Sequence, residues 1–96
     1  MSQSANSLVN KIYQEILHKF QSQSFKKEYE SKTFTEKKKL LMSIIQSIQT
    51  KYKNNPIVTN FINQIKWALN SDMFTPDNSD YNSLMKNLEF FRLMIH

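Results

Sequence analysis

Apolar residues recur along this chain at intervals of three and four, the spacing that gathers side chains on one face of an α-helix because each residue is turned by about 100° from the last. Four stretches show it. The first carries Leu8, Val9, Ile12, Tyr13, Ile16, Leu17 and Phe20, and the second Leu40, Leu41, Ile44, Ile45, Ile48 and Tyr52. The third carries Ile57, Val58, Phe61, Ile62, Ile65, Ala68 and Leu69, and the fourth Tyr81, Leu84, Met85, Leu88, Phe91 and Ile95. Polar residues fill the positions between, as amphipathic helices around a shared core require.

Local signals set the boundaries. Asn55-Pro56 and Thr75-Pro76 each put a capping side chain before a proline, whose fixed φ and missing N–H suit the first helical position. Asp77 and Asp80 then fall in a first turn, where the helix dipole favours negative charge. Ser4 or Ser7 serves as N-cap of the first helix, and Thr33 with Glu36 fits a capping box for the second. That places Lys37-Lys38-Lys39 at the positive end of a helix, so these lysines must face water or a partner. The predicted helices are residues 5 to 22, 34 to 53, 56 to 70 and 76 to 95. Phe25 and Tyr29 are four apart but out of phase with the first helix, which predicts a break near Gln21 to Ser24 and a loop over 24 to 33 holding at most a helical turn. Residues 55 to 95 read as a helical hairpin with facing apolar stripes. Each stripe is wide enough to meet two neighbours, so the expected fold is all-α, an antiparallel four-helix bundle forming a single domain over residues 1–96.

Composition narrows the function. The 96 residues include no Gly, and Pro occurs only at 56 and 76. Gly-rich phosphate loops, dinucleotide fingerprints and nucleophile elbows all need Gly where the backbone turns sharply or meets a ligand, so these chemistries are excluded. Cys is absent, which removes disulfides and thiolate metal sites and fits a reducing compartment. The opening Met1-Ser2-Gln3-Ser4 has no basic leader segment, and no apolar run approaches the ~20 residues that span a bilayer. A cytoplasmic protein is expected. The net charge of +5 is lopsided: residues 1 to 53 hold ten Lys and four Glu, residues 54 to 96 three basic and four acidic residues. Such a first half suits nucleic acid, an anionic membrane surface or plain solvation.

No catalytic or metal constellation is legible, and no cofactor is expected. His18 and His96 are the only histidines, and neither has a carboxylate at ligand spacing. Glu28 with Glu30 and Asp77 with Asp80 lie among lysines or in a helix cap, and no inward Glu-x-x-His motif exists. The chain reads as a binding protein, not an enzyme. A nucleic-acid reading rests on the lysines with Phe25, Tyr29 and Phe34 interleaved as stacking surfaces. Against it, Arg occurs once, at Arg92, and no segment reads as a helix-turn-helix with a basic recognition helix.

Two apolar groups are left over once the core faces are assigned. Trp67 lies about 160° from the centre of the third stripe, and with Phe74 it forms a candidate patch at the turn. Phe90, Leu93 and Met94 point away from the fourth stripe, with Arg92 and His96 beside them, and form a second. Helical rise places the two patches ~20 Å apart at opposite ends of the hairpin, so one compact contact is not expected to use both.

The chain resembles the immunity proteins for class IIa (pediocin-like) bacteriocins, in particular the enterocin A immunity type. Three segments carry the resemblance: Ser7-Leu8-Val9-Asn10-Lys11-Ile12-Tyr13-Gln14-Glu15-Ile16, the stretch from Asn55-Pro56-Ile57 through Ile65, and Phe74-Thr75 followed by Leu84-Met85-Lys86-Asn87-Leu88. Their order and the chain length match the family together. The resemblance implies a cytosolic antiparallel four-helix bundle without catalytic activity, protecting a bacteriocin producer from its own peptide. It implies as partner the membrane components of the mannose phosphotransferase permease, engaged peripherally at the inner membrane face, and no nucleic acid. In that family the carboxyl-terminal half decides which bacteriocin is resisted. Many members continue into a tail beyond the fourth helix, and this chain's last residue is His96, which shifts the expected weight onto helices three and four.

Overall fold

In the computed structural model, which describes residues 3–93 and the side-chain surroundings of residues 7–90, the chain is built from helices and turns. Five α-helices follow one another: α1 (Gln3–Phe20), α2 (Gln23–Glu30), α3 (Phe34–Lys51), α4 (Pro56–Leu69) and α5 (Tyr81–Leu93). A 3-10 turn, Pro76–Asn78, precedes the last of them. No strand occurs among the described residues. Backbones approach most closely between α3 and α4, α1 and α4, and α1 and α5, and α2 lies against α1 and α5. The backbones of α4 and α5 stand further apart, and their apolar stripes meet through side chains, Ile65, Ala68 and Leu69 lining one small cavity with Leu84 and Leu88.

The caps read from sequence hold where the partner is local. Asn55 Oδ1 accepts from the N–H groups of Ile57 and Val58 at 3.0 and 3.2 Å, with Pro56 following as the first helical residue. Thr33 and Glu36 form the reciprocal capping box, the Glu36 N–H donating to Thr33 Oγ1 at 3.3 Å and the Thr33 N–H to Glu36 Oε1 at 3.0 Å. These bonds satisfy donors that a helix start leaves unpaired. Thr33→Ala is expected to cost about 1 kcal/mol, and a thermal melt should show Tm falling by about 4–8 °C. An unchanged Tm would mean the box contributes nothing to the fold.

Three boundaries differ from expectation. Residues 24 to 33 are not a loop: Gln23–Glu30 is a helix, capped where Ser22 Oγ accepts from the Phe25 N–H at 3.2 Å. The expected break survives as the Gln21–Ser22 turn, and it lets Phe25 and Tyr29 rotate inward. Their rings continue a stack begun by Phe20, at centroid separations of 4.8 and 5.5 Å, and Tyr29 meets Tyr81 edge-on at 6.4 Å. Second, Thr75-Pro76 opens only the 3-10 turn, and Thr75 makes no side-chain cap bond. Ser79 interrupts the helix with φ −124°, held there because its carbonyl accepts from the buried Tyr29 hydroxyl at 2.6 Å. Asp80 caps α5 instead, accepting from the Ser83 N–H and hydroxyl at 3.2 and 2.6 Å. Third, α1 already runs from Gln3, so Ser4 and Ser7 lie inside it; nothing in the sequence upstream of them breaks a helix.

One apolar cluster joins all five helices. Ile12, Ile16, Leu41, Ile45, Ile48, Val58, Ile62 and Tyr29 are fully buried at its centre. Ile57 departs from its expected place on the core face and is 43% exposed, because it stands in the first turn of α4 at the edge of the stripe. Phe91 lies beyond the described side chains, and Ile95 lies outside the described residues. Two polar ties fasten α3 to α1. Lys51 Nζ and the Tyr52 hydroxyl both donate to Glu15 at 2.9 and 3.0 Å, joining the end of α3 to α1. The Lys51 bond is the first cause holding the Glu15 carboxyl below its usual range.

Candidate recognition surface

The outward face of α4 is polar but almost without charge. From Asn54 to Ser71 the only charged residue is Lys66, and its ammonium donates to Gln46 Oε1 at 2.8 Å and Gln49 Oε1 at 2.6 Å on α3. The exposed residues of α4 are Pro56, Ile57, Asn60, Asn63, Gln64 and Trp67. Trp67 is 70% exposed, as its phase on α4 requires; neither the turn after α4 nor the α2 segment covers it. Phe90 on α5 is 50% exposed.

These two aromatic residues line one depression of about 260 Å³, with Asn60, Asn63, Gln64, Ala68 and Met73. The expectation that they stand ~20 Å apart is therefore wrong, and the connection between the helices explains why. It carries its own fold: the Met73 carbonyl accepts from the Asn78 amide at 3.0 Å and from the Asn87 amide of α5 at 2.8 Å. Asn87 is thus level with Met73 just beyond the end of α4, and Phe90, three residues on along α5, comes up beside Trp67. A compact contact can use both.

Phe74 does not belong to this surface. It is 4% exposed and stacks on Phe34 at 5.2 Å, so it is core. Arg92 and Leu93 lie on α5, but their side chains are beyond those described, and Met94 and His96 lie outside the described residues. The residues that sequence reasoning missed are Asn60, Asn63, Gln64 and Met73. The signal for the three amides was the long stretch with one charge, in a chain where 22% of residues are charged; Met73 lies beyond it and had none.

The rings interleaved with the lysines of the first half are occupied by the fold. Phe25 and Tyr29 are buried and Phe34 is half-buried. Lys37 lies over the Tyr29 ring at 5.0 Å, Lys26 over Tyr81 at 5.2 Å and Lys38 over Phe34 at 5.7 Å, each an attraction between a cation and a ring face. No flat ring is left there for a base to stack on.

The centre of the core keeps a cavity of about 20 Å³, room for one water molecule. Among the described residues no three His, Asp or Glu converge to hold a metal ion, and His18 stands exposed on α1. No helix among the described residues is long and apolar enough to cross a membrane. The chain matches no protein-family model, no curated protein and no solved structure.

Proposed function

We propose that the chain is an immunity protein of the pediocin-like bacteriocin type, acting in the cytoplasm of the producing cell. Its four long helices then correspond to the family's antiparallel bundle, with α2 as an added aromatic wedge. In this reading the protein binds the membrane components of the mannose phosphotransferase permease from the inner face and prevents the bacteriocin from opening a lethal pore. The observation that carries it is the depression between α4 and α5. An exposed Trp and Phe within a rim of neutral amides have the composition of a protein contact, where aromatic residues are enriched and charge is depleted at the centre. It also lies in the half of the chain to which the resemblance assigns discrimination between bacteriocins.

Expression in a sensitive lactic-acid-type bacterium, followed by challenge with a panel of pediocin-like peptides, tests the reading. Resistance to one or a few peptides is expected, with sensitivity to the others unchanged. Resistance to none, together with binding to random DNA or anionic vesicles that weakens steeply with salt, would replace it with the basic nucleic-acid or membrane-surface alternative.

A further inference from the structure

The exposed face of α4 holds a second pattern. Ile57, Asn60, Gln64 and Trp67 are all exposed and follow one another at spacings of three, four and three, so they form one stripe along the helix. The order is apolar, amide, amide, apolar, and the spacing is the same read from either end. Laid antiparallel on a copy of itself, the stripe sets Ile57 against Trp67 of the second copy and Asn60 against Gln64, with a two-fold axis between the amides.

Charge selects the occupant. With a net charge of +5, two copies of this chain repel one another in general, but this stripe carries no charge and the nearby Lys66 is held by α3. Asn and Gln side chains each donate and accept, so the pair across the axis satisfies itself, whereas an ionised partner group would be buried there without a counter-charge. We propose that the chain self-associates through this stripe into an antiparallel two-fold dimer. α4 has 14 residues and is about 21 Å long, so the contact is smaller than the standard ~800 Å² per partner, and a weak, concentration-dependent dimer is expected. Asn60, Gln64 and Trp67 also line the depression, so the dimer is the state in which the recognition face is covered.

Sedimentation of the purified chain between about 10 µM and about 1 mM tests this without any bacteriocin or receptor, so its outcome is independent of the functional reading. The mass should rise from 11.5 kDa towards twice that value, while emission from Trp67, the only tryptophan, shifts to the blue. Asn60→Lys with Gln64→Lys should remain monomeric throughout, its circular dichroism confirming the fold. Asn60→Asp with Gln64→Lys sets opposite charges face to face in the antiparallel order and like charges together in a parallel one, and should dimerise about tenfold more tightly than the natural chain. A natural chain that stays monomeric at the highest concentration overturns the dimer. A second variant no tighter than the natural chain overturns the antiparallel pairing.

Discussion

Tyr29→Ala is expected to cost about 3–5 kcal/mol, a large share of what holds a domain of this size together. The residue is fully buried, its ring stands between Phe25 and Tyr81, and its hydroxyl donates to the Ser79 carbonyl fifty residues away. Truncation opens a cavity in the aromatic stack and frees both α2 and the start of α5. Tyr29→Phe keeps the ring and removes the donor alone, which should cost about 1–3 kcal/mol because a carbonyl in a buried position loses its partner. Urea unfolding of the two variants beside the natural chain measures both numbers. A midpoint unmoved by the alanine variant would show that α2 does not dock through this residue.

The same phenol makes the fold sensitive to alkali. Burial, and secondarily the negative charge of Asp80, push the Tyr29 pKa well above its ordinary value. A tyrosine in the unfolded chain ionises near pH 10. Between that pH and the folded-state pKa the native state holds a proton that the unfolded state has released, so stability falls as pH rises through this window and is complete below it. Tyr52 and Tyr81 shift in the same direction, Tyr52 through its bond to Glu15 and Tyr81 through burial, so the Phe variant should flatten the alkaline loss without abolishing it.

Those contacts mark the limit of what the sequence made legible. The stripes of α1, α3 and α4 were readable because helical periodicity is local, and so were the Asn55 cap and the Thr33 box, whose donors and acceptors lie within three residues of one another. Helix α2 was hidden because eight residues give two apolar positions, Phe25 and Tyr29, too few to show a period, and its stability comes from rings on α1 and α5. The late start of α5 has the same cause. Thr75-Pro76 is a good local start signal, but the Tyr29 hydroxyl fixes Ser79 outside the helix, and no window around residue 79 contains residue 29. Phe34 hid Phe74 in the same way, removing it from the surface. At the candidate site, the phase of α4 placed Trp67 outward, yet its pairing with Phe90 depended on how the 70 to 80 connection is tied by Met73, Asn78 and Asn87. The alphabet of the site could be read; its assembly needed three dimensions.

Trp67→Ala should leave the melting temperature nearly unchanged and abolish protection. At 70% exposure the indole leaves no cavity when it is removed, so the stability change should stay within about 0.5 kcal/mol. In a protein contact the same residue would be the largest apolar group at the centre of the depression. Truncating such an anchor costs about 2 kcal/mol or more of binding, a loss of roughly thirtyfold or greater in affinity. Phe90→Ala is the companion, half-exposed on the facing helix and lining the same depression. Both belong to one contact, so the double variant should lose little more protection than the worse single one. Melting and bacteriocin challenge, run on the three variants, separate the cases: unchanged Tm with lost protection marks the recognition surface, and a fall in both marks a core residue. If all three melt normally and still protect, the depression is not where the partner binds, and the Lys-rich face of α2 and α3 becomes the surface to test.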